Sequence, residues 1–92
     1  SAGAGFIAQG FSKELNELAA LIEAGIRHTG FSFINVFSPC VTFNKVNTYD
    51  WYSQRLQKVD DLTGYKRHDR MSAMQRVMET EGLITGLIYQ RK

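Results

Sequence analysis

The sequence has 92 residues, of which 43% are hydrophobic and 22% charged, and its formal net charge is +2. This balance is typical of one small globular domain and indicates neither disorder nor a fibrous repeat. So weak a charge does not favour nucleic acid or an anionic membrane as a partner, and no apolar run has the length of a membrane-spanning helix. The single cysteine cannot form a disulfide within the chain, so a reducing, cytoplasmic setting is expected.

The first part of the chain predicts a strand, a helix and a second strand. Gly5 to Gln9 is a short apolar run bounded by glycines. Ser12 is expected to cap a helix that Gly30 ends, since serine oxygens accept hydrogen bonds from first-turn amides and glycine favours helix C-termini. The apolar residues that recur at helical spacing in this segment are Leu15, Leu18, Ala19, Ile22 and Ile26.

Phe31 to Phe37 predicts the second strand, because it is rich in aromatic and β-branched residues on both faces. A strand that is apolar on both faces is typical of the centre of a parallel sheet covered by helices. Together these three elements predict one right-handed βαβ unit.

The second part predicts a loop, two helices and a last strand. The loop covers Ser38 to Asn47, and Asn47 or Thr48 begins a helix that continues to about Asp61. A third helix is expected from about Arg70 to Glu81, and a strand from Leu83 to Tyr89. The residues expected to form the inner faces of the two helices are Tyr49, Tyr52, Leu56 and Val59 in one, and Met71, Met74, Val77 and Met78 in the other.

The predicted fold class is therefore α/β, with a small three-stranded, largely parallel sheet and helices packed on it. Such a sheet has exposed edges, which are a liability in a free-standing domain. We expect the chain to pack against more sheet or to self-associate through these edges.

Cys40 follows the predicted central strand by three residues. Ligands of open α/β sheets bind beyond the carboxyl ends of the strands, so a thiolate at this point could reach a cofactor. Pro39 stiffens the approach, since its ring fixes the backbone. The alternative is an inert cysteine that packs as a small hydrophobic residue.

The segment GFSFINVFSPCVTFNKVNTYDWY resembles the C-terminal part of the β subunit of 2-oxoacid:ferredoxin oxidoreductases, and is most like the 2-oxoglutarate type. In that family a strand delivers an SPC tripeptide, followed by a TFN turn and a TYDWY helix start. The flanking segments GAGFIAQGFS and LITGLIYQRK resemble the family more weakly. The positions that match are Ser38, Pro39, Cys40, Thr42, Phe43, Asn44 and Thr48 to Tyr52.

The resemblance implies a subunit with thiamine diphosphate, Mg²⁺ and one [4Fe-4S] cluster. Its reaction is oxidative decarboxylation of a 2-oxoacid to an acyl-CoA with coenzyme A, and the electrons pass through the cluster to ferredoxin. Cys40 matches the fourth cluster ligand of the family, whose other three ligands come from the N-terminal region of the subunit. The implied partners are the rest of the β subunit, an α subunit and ferredoxin.

Two family features are absent from this sequence. It has no GDG followed by an NN pair, the pattern that holds Mg²⁺ and the diphosphate, and it has no second cysteine. A [4Fe-4S] cluster is ordinarily held by four thiolates. Residues 1–92 are therefore expected to form a single domain that is the C-terminal piece of a thiamine diphosphate-binding fold, and to bind no cofactor and catalyse nothing alone.

Two other interpretations stay open at this point. The chain could be a non-catalytic interaction module that keeps only the fold. It could also bind nucleic acid weakly, in which case binding would fall steeply with salt. The cations that would serve such binding are Arg55, Lys58, Lys66, Arg67 and Arg70.

Several other side chains have a plain structural interpretation beside a functional one. His28 is expected at a helix C-terminus, where a cation is favourable, and His68 in a solvated turn. The methionines are expected in the core or at a subunit interface. Trp51 is expected to anchor its helix or to lie at an interface. Asn44 and Lys45 could donate hydrogen bonds to cluster sulfurs, but an ordinary turn also explains Asn44.

Overall fold

A computed structural model, which describes residues 4–38 and 49–92, confirms the predicted α/β class. The described residues form four strands and three α-helices around one sheet. In chain order these elements are β1 (Phe6–Phe11), α1 (Leu15–Arg27), β2 (Ser32–Phe37), α2 (Tyr49–Arg55), β3 (Gln57–Lys58), a 3-10 turn (Val59–Asp61), α3 (Arg70–Glu79) and β4 (Ile84–Gln90).

The strand order in the sheet is β2–β1–β4–β3. β1 and β2 are parallel, from Phe6 opposite Ser32 to Phe11 opposite Phe37. β4 runs antiparallel to β1, with an irregularity in register beside Ile7, and β3 runs parallel to β4. The sheet thus has one strand more than expected and is mixed, because β4 returns along β1.

The prediction that Phe31 to Phe37 is a central strand is wrong for the described residues, where β1 is interior and β2 is an edge. β4 occupies the other side of β1, so β2 has a strand on one side only. Phe33 is 44% exposed and Val36 39% exposed. A two-faced apolar pattern indicates that a strand needs cover on both faces, and the described residues supply that cover only in part.

Helix α1 packs on the sheet through a face that is rotated from the predicted one, although Leu18 belongs to both. A Cβ atom built on Gly25 would lie 2.9 Å from Ile34 Cδ1, and one on Gly10 would lie 2.5 Å from Leu18 Cδ1. These two glycines therefore let the helix approach β1 and β2 closely. The predicted stripe lies largely outside this contact, since Leu15 is 69% and Ile26 79% exposed.

Ser12 is not the N-cap of α1, contrary to expectation. The residue before the first helical residue is Glu14, which makes no side-chain capping hydrogen bond. The backbone amide of Ser12 donates to the Phe37 carbonyl oxygen at 2.9 Å. Ser12 thus belongs to the turn that ties the end of β1 to the end of β2, and the helix begins after that turn.

The predicted second helix is broken after Arg55. Gln57 and Lys58 pair with β4 instead, and the Gln57 amide donates to the Leu83 carbonyl oxygen at 3.0 Å. The edge of β4 offers backbone hydrogen bonds to a segment whose apolar spacing also suits a helix, so tertiary pairing overrides the local pattern. Val59 is buried as predicted, but it lies in the 3-10 turn and not in a helix.

One cluster of the hydrophobic core includes Ala73 of α3. Half-buried Leu62, Tyr65, Met74 and Val77 pack against it. Asp69 caps α3, since its carboxylate accepts a hydrogen bond from the Ser72 amide. Met71 and Met78 are 84% and 78% exposed, so only part of the predicted methionine stripe reaches the core. The buried residues of this cluster are Ala4, Ile7, Val59, Ala73, Ile84, Ile88 and Tyr89, and the buried apolar residues outside it are Phe6, Ala8 and Phe11.

Candidate functional site

The carboxyl ends of β1 and β2 lie side by side, where the sequence places the candidate site. Their parallel register sets Phe11 opposite Phe37, and Ser38 is the last residue described before the segment that carries the SPC tripeptide. Pro39, Cys40, Asn44 and Lys45 lie outside the described residues. The structure therefore describes the two ends between which this segment lies, Ser38 after β2 and Tyr49 at the start of α2. We call these two ends, with the side chains that join them, the frame.

An aromatic cluster holds that frame together. The ring of Tyr52 in α2 lies 5.4 Å from that of Phe37 and 6.1 Å from that of Phe11, measured between centroids. Trp51 meets Tyr52 edge-on at 5.0 Å. Contacts of this geometry stabilise by about 1 kcal/mol each beyond the area that they bury. Because Phe37 precedes the segment and Tyr52 follows it, the cluster fixes the distance between its two ends.

Trp51 also anchors the helix internally. The Arg55 guanidinium lies 4.4 Å from the centre of a Trp51 ring, and its Nη1 donates to the Trp51 carbonyl oxygen at 3.2 Å. The indole is half-buried. Its contacts fit the predicted role of a helix anchor, and a role in an interface stays a prediction.

Lys58 joins β3 to the start of α1. Its Nζ lies 3.2 Å from a carboxylate oxygen of Glu14 and 3.1 Å from one of Glu17. The hydrogen bonds to Glu17 and Glu14 raise the pKa of Lys58. The pKa of Glu14 is lowered, chiefly by its hydrogen bond with Glu17 and also by Lys58. These shifts keep Glu14 and Lys58 charged near neutral pH, so the two serve as an ion-pair link and are poor candidates for proton transfer.

These ion pairs lie beside a cleft of about 260 Å³ between α1, β4 and the 3-10 turn. Two cations reach it, and both face carboxylates, since Arg67 lies 3.7 Å from Asp60. The lining has three carboxylates, those of Glu14, Glu17 and Asp60, against these two cations, so it carries a surplus of one negative charge and does not favour an anionic ligand. The sequence did not indicate this cluster, because Lys58 and Glu17 are 41 residues apart.

The two histidines take structural positions. His28 follows α1, as predicted, and its ring lies 5.6 Å from that of Phe6. His68 Nδ1 lies 2.7 Å from the Gln90 carbonyl oxygen, in an exposed turn beside β4. Neither histidine joins a group that could hold a metal, because the described ranges contain no cluster of three or more His, Cys, Asp or Glu side chains suited to one.

The family assignment comes from the second half of the chain. The sequence model for the C-terminal part of the pyruvate ferredoxin oxidoreductase beta subunit matches residues 40–92, which is more than half of the chain. The chain belongs to this family. The matched stretch begins at Cys40 and includes α2, α3 and β4.

Curated relatives of this oxidoreductase family have similar sequences. The chain is 40% identical over 62 residues to the 2-oxoacid:ferredoxin oxidoreductase subunit beta of Sulfolobus sp., which is 67% of this chain and 20% of that protein. It is 37% identical over 65 residues to the 2-oxoacid:ferredoxin oxidoreductase 2 subunit beta of Aeropyrum pernix, 71% of this chain and 21% of that protein. The chain thus matches about a fifth of the length of these relatives.

A solved structure from the same family shares the fold. It is the 2-oxoglutarate:ferredoxin oxidoreductase from Magnetococcus marinus with 2-oxoglutarate, coenzyme A and succinyl-CoA bound. The superposition has a TM-score of 0.87 at 33% identity and covers 98% of this chain and 31% of that one. The suspected resemblance to 2-oxoacid:ferredoxin oxidoreductase β subunits is therefore confirmed.

Proposed function

We propose that this chain is the C-terminal part of the β subunit of a 2-oxoacid:ferredoxin oxidoreductase, and that the 2-oxoacid is 2-oxoglutarate. The complete enzyme would decarboxylate the 2-oxoacid oxidatively to an acyl-CoA and pass the electrons to ferredoxin. The observation that carries the proposal is the superposition over 98% of the chain on an enzyme of this kind at 33% identity. Its partners would be the rest of the β subunit, an α subunit and ferredoxin, in the cytoplasm.

The role proposed for Cys40 is that of one ligand to a [4Fe-4S] cluster, which supplies one-electron transfer when bound. Cysteine thiolate is the ordinary ligand of such clusters. The donor chemistry of this chain fits one ligand and no more, since Cys40 is its single cysteine. The other thiolates must come from outside residues 1–92.

Contacts among the described residues on either side of residues 39–48 support this role for Cys40. The described residues end at Ser38 and resume at Tyr49, the first residue of α2, and the Phe37–Tyr52 contact joins the two sides. A tethered segment loses less conformational freedom when a ligand binds to it than a free one does. We therefore propose that the aromatic cluster lowers the entropic cost of positioning the Cys40 sulfur as a ligand of the [4Fe-4S] cluster.

Thiamine diphosphate and Mg²⁺ do not fit residues of this chain. The sequence lacks the GDG and NN pattern, and the part of the chain that the structure describes has no cluster of carboxylates suited to a metal. We propose that both are held by another part of the β subunit, and that residues 1–92 alone bind no cofactor and are inactive.

Substitution of Cys40 in the complete enzyme tests the cluster assignment. Cys40→Ser should lower the cluster iron per β subunit and ferredoxin reduction together, because serine replaces the thiolate, while thiamine diphosphate content should stay unchanged. Ser53→Ala, at an exposed position of α2, is the control and should leave all three quantities at the wild-type level. A Cys40→Ser enzyme with full cluster iron and full ferredoxin reduction would remove the proposed role.

A further inference from the structure

The two edges of the sheet differ in how they are protected. β3 is two residues long and ends in Lys58. β2 has six residues, SFINVF, without a charge or a proline, and none of the described strands pairs with its outer side. Natural edge strands are protected by short length, charge, proline or bulges. β2 has none of these devices, so its edge is suited to pairing with another strand.

Both faces of β2 present exposed apolar side chains. Val36 is on the same face as Ile34, whose Cδ1 lies against Gly25 of α1. Phe33 is on the opposite face, since neighbouring residues of a strand alternate. An edge strand in contact with water ordinarily has one polar face. Among the described residues, β2 is therefore only partly covered on each face and has no strand on its outer edge.

The exposed apolar flank of α1 lies on the same side of the molecule as the outer edge of β2. Glu17 and Ala20 line the cleft over β4, and Gly25 rests on Phe6 and Ile34. At about 100° per residue, the flank nearly opposite Glu17 and Ala20 points beyond β2. The exposed apolar residues of that flank are Leu15, Ile22 and Ile26. We call Phe33, Val36, Leu15, Ile22 and Ile26 the β2–α1 surface.

We propose that the β2–α1 surface is covered by another part of the same β subunit, which adds a strand to the outer edge of β2 and apolar side chains against α1. This inference rests on the proposed function. The chain length for such cover exists in the relatives, because the match takes in 31% of the structural neighbour and about a fifth of the curated β subunits. A strand followed by its own helices would supply both the edge partner and the cover on the two faces.

Photo-crosslinking in the complete enzyme identifies the occupant. With Phe33→p-benzoylphenylalanine, we expect irradiation to join position 33 to a peptide of the same β subunit outside residues 1–92. The same probe at Gln75, an exposed polar position of α3, is the control and should not reach that peptide. Coupling to the α subunit, to residues 39–48 or to an isotopically marked second copy would overturn the proposal, as would the absence of any product.

A pair of lysine variants tests the helix flank independently. Ile26 and Ala24 are both exposed in α1, so the described fold alone predicts that lysine is tolerated at each. If the surface is covered, Ile26→Lys should lower the melting temperature of the complete β subunit by several degrees and Ala24→Lys should not. Equal melting temperatures would contradict the proposal.

The outcome for the surface can be separated from that for the function. The cluster iron of the Cys40→Ser variant and the cross-link from position 33 are both measured in variants of the complete enzyme. A cross-link as expected with iron unaffected by Cys40→Ser would refute the cluster ligand and keep the covered surface. Loss of iron in Cys40→Ser without the cross-link from position 33 would keep the cluster ligand and refute the covered surface.

Discussion

Gly86 allows β4 to pass directly beneath Val59. Its φ of +118° lies in a region that side chains rarely adopt, and a Cβ atom there would lie 3.2 Å from Val59 Cβ. Gly86, which lies within the predicted last strand, is thus the residue that lets this strand pack against the 3-10 turn. Conformation and space both require glycine at this position.

Gly86→Ala should therefore destabilise the protein by roughly 2–3 kcal/mol, through backbone strain and crowding against buried Val59. Gly64→Ala is the matched control, since Gly64 has a φ of +71° and no atom lies within 4 Å of its Cβ position. It should cost only about 1 kcal/mol. Urea unfolding measures both variants, and equal losses would show that Val59 does not limit the space.

Tyr65 predicts how stability changes at alkaline pH. Its hydroxyl donates to the Ile88 carbonyl oxygen at 2.7 Å, and burial raises the pKa of the phenol above its usual 10.0. Above about pH 10 the unfolded chain loses this proton before the folded chain does, so the contribution of Tyr65 to stability falls as pH rises.

Tyr65→Phe should lower the free energy of unfolding by about 1 kcal/mol near pH 7, where the hydrogen bond is intact. The difference in the free energy of unfolding between wild type and variant should become smaller as the pH rises above about 10. Urea unfolding at a series of pH values gives both quantities. A gap that widens at high pH would mean that the phenolate, not the phenol, is favoured in the folded state.

At the scale of elements, α2 is short and depends on its aromatic contacts. It has seven residues, fewer than an isolated helix needs to be stable in water. Tyr52 provides its contacts with both β1 and β2. The packing of one side chain therefore fixes the helix that follows the Cys40 segment.

Tyr52→Ala should destabilise the protein by roughly 2–4 kcal/mol, while Tyr52→Phe, which keeps the ring, should cost under about 1.5 kcal/mol. If the frame also positions Cys40, the alanine variant of the complete enzyme should hold less cluster iron at temperatures where it is still folded. Circular dichroism and iron analysis on the same samples separate the two effects. Normal iron in a folded Tyr52→Ala enzyme would show that the ring serves stability alone.

At the scale of the whole molecule, the 92-residue chain leaves apolar side chains exposed on the β2–α1 surface and on α3. Exposed apolar patches of this kind mark contact sites or aggregation sites. We therefore expect the chain to self-associate when it is produced without the rest of the subunit, since edge strands can then pair between copies.

Sedimentation velocity over a range of concentrations measures this self-association. Val36→Lys, which places a charge on the edge strand, should shift the chain toward monomer. Gln57→Lys, on the short β3 edge, should leave the distribution unchanged. A chain that stays monomeric at all concentrations would show that the edge of β2 is already blocked within residues 1–92.

The sequence by itself determined the α/β class, β1, the centre of α1, α3 and β4, because apolar periodicity and helix-ending glycines are local signals. It also contained the family resemblance around Cys40. The end of the second helix was not predictable from Leu56 and Val59, whose spacing from Tyr52 suits a helix, because the edge of β4 took that segment into the sheet. The face of α1 was predicted only in part for a related reason: Gly10 and Gly25 let a face that includes Leu18, but not Leu15 or Ile26, approach the sheet.

Only the tertiary structure decided which strand is interior and how the Cys40 segment is held. Both faces of β2 are apolar, yet its position in the sheet depends on β4, which is more than 40 residues away in sequence. The Lys58 link to Glu17 and the contact of Tyr52 with Phe11 likewise join residues 41 apart. Local patterns report which side chains need burial, but the contacts that bury them form between distant segments and are fixed only when the whole sheet assembles.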